Sequence, residues 1–310
     1  MNPPLPDPGS ERVIATGFAY PEGPRFDRHG TLHVVELAAG VVSRVHQGRR
    51  VVLVETAGSP NGAGFDEDGT LYICNNGGNW GPNPSTGGRA GPGGGLAAIQ
   101  AVEPDGTFST VLSNIDGDDL SSPNDLVIDP AGGLWFTDPV WAVRDARGVA
   151  AASASPPGSV CWTDGHGHAV RAYSGLTFPN GIVLSPDGTE LYVGETGTGR
   201  ILAFPIQGRG LLGEPIARWD LGPDAVPDGL ALDSLGRLLV AGTGTGLITV
   251  CAEDGSVEAA IAMADADITN LCFGGPHGRT LFVTEAALGR VVALEWEVPG
   301  LPLPVGPRLW

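Results

Sequence analysis

The sequence predicts an all-β protein folded as a six-bladed β-propeller, on three observations: one short pattern recurs six times, the apolar segments are short, and turn formers abound. The chain has 310 residues, 42% of them hydrophobic, which is enough for a sizeable core. Its 49 Gly and 27 Pro follow no Gly-X-Y period, so they read as tight turns between many short strands.

PEGPRFDRHGTLHVVE, from Pro21 to Glu36, is the first copy. SPNGAGFDEDGTLYICN sets Asn61 in register with Glu22, SPNDLVIDPAGGLWFTD sets Asn124 there, and FPNGIVLSPDGTELYVGET sets Asn180. VPDGLALDSLGRLLVAG carries Asp228 at that position and ITNLCFGGPHGRTLFVTE carries Asn270. Successive aligned positions lie 39, 63, 56, 48 and 42 residues apart, a repeat with variable insertions.

Each unit reads as a polar residue, an apolar strand, a D-x-x-G type turn, a second strand and a looser hairpin such as GRILAFPIQGRG. Units of roughly 40 residues with two clear strands and room for two more match a four-stranded blade. Gly, Pro and Asp break the apolar runs every ~8–12 residues, which disfavours helical repeats. Residues 1–310 are therefore expected to form one domain, with blades opening near residues 20, 59, 122, 178, 226 and 268. The N-terminal RVIATGF is expected to give the last blade an outer strand and so close the ring. The Gly- and Pro-rich insertions at 77–95 and 139–157 read as lids or binding loops, or as solvent-exposed slack.

Composition excludes several function classes. Seventeen basic against 35 acidic residues give a net charge of −18, which repels a phosphate backbone, so no nucleic-acid partner is expected. Every basic residue is Arg, and without Lys there is no Schiff-base chemistry. No run of 18 apolar residues occurs, and MNPPLPDPGSER lacks the features of a signal peptide, so the expectation is a cytoplasmic protein with no membrane partner, monomeric or a small homo-oligomer. Cys74, Cys161, Cys251 and Cys272 form no C-x-x-C pair and read as buried free thiols. There is no G-x-S-x-G elbow and no H-E-x-x-H; His166 and His168 read as a solvated hairpin pair, and GTGTG at Gly242 to Gly246 as turn chemistry.

A blade starts at the central channel, so the residues opening each first strand face one another: Glu22, Asn61, Asn124, Asn180, Asp228 and Asn270. Singly, each Asn reads as a strand-entry residue bonding its own backbone. Together they are six oxygen-bearing side chains, two of them carboxylates, and that ring calls for a counter-charge. The fold class is thus a propeller with a central-channel metal site. All-oxygen ligation suits one hard divalent cation, Ca²⁺ first, with Mg²⁺, Mn²⁺ or Zn²⁺ as alternatives.

PEGPRFD, SPNDLVID, FPNGIVLSPDG and PDGLALD, in this order, resemble the senescence-marker-protein (regucalcin) and gluconolactonase family of six-bladed propellers. The resemblance runs from about Tyr20 to Pro304, includes the closing GLPLP, and is nearest to the bacterial lactonase branch, with CNNGG at Cys74 to Gly78. It implies one divalent cation held by Glu22, Asn180 and Asp228, with Asn124 beside it as ligand or substrate contact. One departure stands out: the animal branch has an Arg that contacts a sugar lactone where this chain has Ser122.

The resemblance implies hydrolysis of the ester bond of a small, sugar-derived lactone by metal-activated water, the Ser122 departure leaving the sugar less secure than the lactone class itself. A cation polarises the carbonyl and acidifies water while Asp228 serves as general base, Glu22 balances charge, and Asn124 and Asn180 complete the shell. Asn75, Asn76, Trp80, Asp138 and Glu195 end or follow a second strand or lie on a long loop, which makes them candidate pocket-wall residues. Asp125 and Asp138 could instead hold a second, structural ion or cap turns. Two other functions fit the quartet: phosphotriester hydrolysis of the diisopropyl-fluorophosphatase type, and a non-catalytic propeller binding Ca²⁺ or a protein.

Overall fold

The computed structural model describes residues 5–7, 9–79, 95–141 and 156–301. Strand β1 (Arg12–Thr16) precedes the first sheet, which contains β2 (Pro21–Phe26), β3 (Leu32–Glu36), β4 (Val41–His46) and β5 (Arg49–Glu55). The second holds β6 (Pro60–Phe65), β7 (Leu71–Asn76), β8 (Ala97–Val102) and β9 (Phe108–Leu112). A small hairpin of β10 (Asn114–Ile115) and β11 (Asp118–Asp119) leads to the third, made of β12 (Leu126–Ile128), β13 (Leu134–Asp138), β14 (Gly158–Thr163) and β15 (Ala169–Leu176). The fourth consists of β16 (Pro179–Leu184), β17 (Glu190–Glu195) and β18 (Arg200–Gly208), with β19 (Leu211–Leu212) and β20 (Ile216–Asp220) both on β18. The fifth is β21 (Pro227–Leu232), β22 (Leu238–Gly242), β23 (Leu247–Cys251) and β24 (Val257–Ala262).

The sixth sheet has β25 (Ile268–Gly274), β26 (Thr280–Glu285) and β27 (Arg290–Glu295), and its fourth strand is β1, antiparallel to β27. RVIATGF thus supplies the outer strand expected of it. The first strands pack against one another in sequence, β2 on β6, β6 on β12, β12 on β16, β16 on β21, β21 on β25 and β25 on β2, which closes a six-bladed ring.

Local chemistry makes each blade. The turn Asp accepts backbone N–H groups across its own hairpin: Asp27 from His29 and Thr31, Asp66 from Gly69 and Thr70, Asp233 from Leu235 and Arg237. These Asx turns fix the first hairpin of a blade, so the D-x-x-G element is structural. Inner strands are buried on both faces and read as continuous apolar runs, whereas an outer strand such as β24 is mostly exposed.

The core is divided into six apolar clusters, one in each seam between neighbouring blades. Strand alternation assigns them: Tyr72 and Cys74 face the third blade, while Leu71 and Ile73 face the first. Cys74, Cys161, Cys251 and Cys272 are buried free thiols, each in a seam. Among the described residues no helix is long and apolar enough to cross a membrane.

Candidate active site

Five of the six inner strands carry the same irregularity. From Glu22 to Arg25, Pro60 to Ala63, Pro179 to Ile182, Pro227 to Leu230 and Ile268 to Leu271, the inner strand has one residue more than its partner. That is a β-bulge; it includes Asn61, Asn180, Asp228 and Asn270, and in the first blade it directly follows Glu22. In the third blade β12 starts later, and Asn124 instead donates its backbone N–H to Thr137 at 2.9 Å. Glu22, Asn61, Asn124, Asn180 and Asp228 therefore occupy equivalent places at the head of the innermost strands, whereas in the sixth blade Thr269 takes that place and Asn270, read from the repeats as the sixth ring position, stands one residue further on, in register with Asp125.

Glycine lets the strands approach. A Cβ at Gly62 would lie 2.7 Å from the Asn124 carbonyl oxygen, and one at Gly181 would lie 2.1 Å from that of Asp228. Neighbouring blades thus touch backbone to backbone at the ring, and Thr137 Oγ1 adds a 2.7 Å bond to the Asn180 carbonyl. In two copies an aromatic residue precedes the Pro and takes a left-handed backbone, Tyr20 at φ 59° and Phe178 at φ 57°. Such a conformation is costly for an aromatic side chain and marks a constrained site.

The six ring residues are not equivalent. The Oδ1 atoms of Asn124 and Asn180 are buried with no hydrogen-bond donor among the described residues. Asn270 is turned the other way: its Oδ1 accepts the Leu271 N–H at 2.8 Å, and its Nδ2 donates to Glu22 Oε2 at 2.9 Å. Glu22 Oε2 also accepts the Gly23 N–H. Asn61 is buried at its place in the second blade.

Asp125, read from sequence as an ion ligand or turn cap, pairs instead with Arg25 at 3.4 Å, both buried. It caps the start of β12 through the Leu126 N–H as well.

Electrostatics follow from this crowding. Burial, then Asp228 and Asp125, push the Glu22 carboxyl well above the usual range. Asp228 is pushed up to about 8, first by burial and with Asp125 and Asp267 adding, against hydrogen bonds from Thr243 and Asn180. Burial also raises Asp125, while Arg25 opposes it. Three buried carboxyls thus face one guanidinium. Two donor-less amide oxygens beside an excess of buried carboxylate are the complement of a hard cation. Among the described residues no three His, Cys, Asp or Glu side chains gather as a metal cluster, so any such site rests half on amide oxygens.

The pocket-wall candidates divide. Asn75 is fully engaged: Oδ1 accepts the Ser59 and Gly77 N–H groups, and Nδ2 donates to the Thr56 carbonyl and to Gln100. Asp138 accepts the Ser121 and Ser122 N–H groups, and burial raises its pKa. Glu195 accepts the Thr177 N–H at 2.6 Å, and Glu36 the Ala19 N–H at 2.8 Å. The four occupy one position of the repeat, the end of the second strand, where each pins the backbone two or three residues before a ring residue. They are latches that set the ring, and Asn75 has no hydrogen-bonding capacity left for a substrate. Asn76 differs, for its Nδ2 is buried without a partner. Trp80 and most of the insertions at 77–95 and 139–157 lie outside the described residues.

Ser122 turns its hydroxyl onto the Ser121 carbonyl at 2.8 Å. His166 and His168 lie on an exposed hairpin, their N–H groups on Asp164. Sequence reasoning missed the Arg25–Asp125 pair, the reversed Asn270 and the strained aromatic residues. The shared aromatic-Pro of YPE and FPN was a readable signal for the last.

A family model described as SMP-30/Gluconolactonase/LRE-like region matches residues 20–287. The gluconolactonase of Zymomonas mobilis is 31% identical over 205 residues, 61% of this chain but only 55% of that relative's length. The diisopropyl-fluorophosphatase of Loligo vulgaris is 27% identical over 303 residues, 90% of each chain. Among solved structures, regucalcin of Agrobacterium tumefaciens, described as a calcium-binding protein, superposes with a TM-score of 0.76 at 21% identity, covering 97% of this chain and 99% of that one. That last likeness bears on the fold alone.

Proposed function

The chain belongs to the SMP-30/gluconolactonase/LRE-like family, and on that premise we propose that it is a lactonase using one divalent cation, Ca²⁺ by preference, held at the head of the inner strands. The observation that carries the reading is the pair of donor-less oxygens, Asn124 Oδ1 and Asn180 Oδ1, set in a ring with Glu22 and Asp228. The likeness to a gluconolactonase supports the substrate class.

Glu22, Asn124, Asn180 and Asp228 would hold the ion. When bound, it supplies Lewis acidity to the lactone carbonyl and counter-charge to the carboxylates. Asp228 takes a proton from water as the water oxygen bonds to the carbonyl carbon. The ring C–O bond then breaks, and the proton passes to the departing alkoxide. Glu22 balances charge without moving a proton. Asn76 Nδ2 is the candidate donor to the substrate. The lactone is small and sugar-derived in this reading, and because Ser122 supplies no guanidinium its hydroxyl groups must be recognised by other residues.

The decisive experiment follows acid release by chelator-stripped protein on a panel of polar and apolar lactones, with Ca²⁺, Mg²⁺, Mn²⁺ or Zn²⁺ added back. Turnover is expected to vanish on stripping and return with a divalent ion. Turnover indifferent to chelation overturns the reading. Diisopropyl fluorophosphate belongs in the same panel, because the likeness to the Loligo vulgaris diisopropyl-fluorophosphatase spans most of the chain. Preferential turnover there favours phosphorus as the centre attacked.

A further inference from the structure

Asn270 looks like a sixth ring ligand in the sequence, yet its amide carbonyl is spent on the Leu271 N–H at 2.8 Å. Its Nδ2 lies 2.9 Å from Glu22 Oε2 and 3.4 Å from Asp125 Oδ2. The residue is almost wholly buried, and its backbone is fixed on both sides by Thr284, whose hydroxyl accepts the Asn270 N–H at 2.9 Å and donates to its carbonyl at 3.0 Å. Thr269, bonded to Thr284, reaches across the seam to the Pro21 carbonyl at 2.9 Å, next to Glu22. The amide therefore cannot turn over without losing the Leu271 bond and bringing its oxygen against two carboxylates.

We propose that Asn270 is a positioning residue that ties Glu22 by Oε2, so that Oε1 alone is presented to the cation, and that joins the Arg25–Asp125 pair to the cation site. This rests on the cation-site reading above. Oε2 accepts two donors, Asn270 Nδ2 and the Gly23 N–H, whereas Oε1 has no hydrogen bond among the described residues. A carboxylate held this way is a single-oxygen ligand with its free rotation removed, and the donor's second hydrogen shields it from Asp125. Blade six thus contributes to the site through nitrogen, where blades three and four contribute oxygen.

Calorimetric Ca²⁺ titration of the native protein, Asn270→Leu, Asn270→Ser and Asn180→Ala tests this, each protein also being melted in chelator and in Ca²⁺. Leucine removes the donors at similar volume, and its Ca²⁺ affinity is expected to fall about 10–100-fold. The rise in Tm on adding Ca²⁺ shrinks with it. Serine, too short to reach both carboxylates, keeps the test available if the leucine variant does not fold, with a fall of about tenfold expected. Native affinity in the folded Asn270 variants overturns the proposal. So does a lower Tm in chelator with the Ca²⁺-induced rise intact, since Asn270 then only packs. If the native protein binds no Ca²⁺, the cation-site reading itself falls. If Asn180→Ala alone loses binding, that reading stands and the Asn270 proposal falls.

Discussion

Asp228 is the residue on which charge, burial and proposed chemistry meet. Its folded value of about 8 lies above the ordinary 3.8. Between those values the cation-free folded protein holds a proton that the unfolded chain has released. Stability from this group is therefore full below about pH 4 and is lost as pH rises through about 8. Cation binding runs the other way because it needs the carboxylate, so Ca²⁺ affinity is expected to fall about tenfold per pH unit below 8 for one displaced proton. Titrations at several values from pH 6 to 9 check this, and a flat profile contradicts it. Asn124, Asn180 and Asn270 teach a related lesson, being one residue type aligned at one position of the repeat. The strand pairing sets Asn270 one residue beyond the other two, and a one-residue shift beside a bulge is invisible in a sequence that offers an Asn at either alignment.

The element that matters most is the bulged inner strand with its glycine. Ala at Gly181 would drive a Cβ into the Asp228 carbonyl oxygen, at 2.1 Å, whereas Gly208 has nothing within 4 Å. Gly181→Ala is expected to cost about 2–3 kcal/mol and weaken Ca²⁺ binding, and Gly208→Ala less than about 0.5 kcal/mol. Urea unfolding with calorimetry distinguishes the two; equal costs would contradict the close approach. Turns, strands and the places of Glu22, Asn61, Asn124, Asn180 and Asp228 were legible because they recur with the repeat, whereas the sixth blade was read one residue out of register. The bulge was not, because it is a mismatch between two strands that neither strand displays alone. The latches Glu36, Asn75, Asp138 and Glu195 were legible in principle, since they too recur, but taken one by one three of them looked like pocket wall.

At the scale of the whole molecule, closure depends on β1. Ala15 is buried in the seam between blades six and one with Phe18, Val34, Phe282 and Val291. Ala15→Asp sets an unpaired carboxylate there and is expected to cost about 3 kcal/mol or more, read by urea unfolding. A smaller loss means that the ring holds without this strand. Glu22, Asn124, Asn180 and Asp228 come from four blades, so no single blade carries the site. Closure also orders events in time. Among the described residues β1 pairs with β27 alone, so this early strand waits for its sheet partner until residues 290–295 have emerged from the ribosome. Blades can form one after another during translation, but the last seam, where Asn270 meets Glu22, is sealed only once the sixth blade has been made.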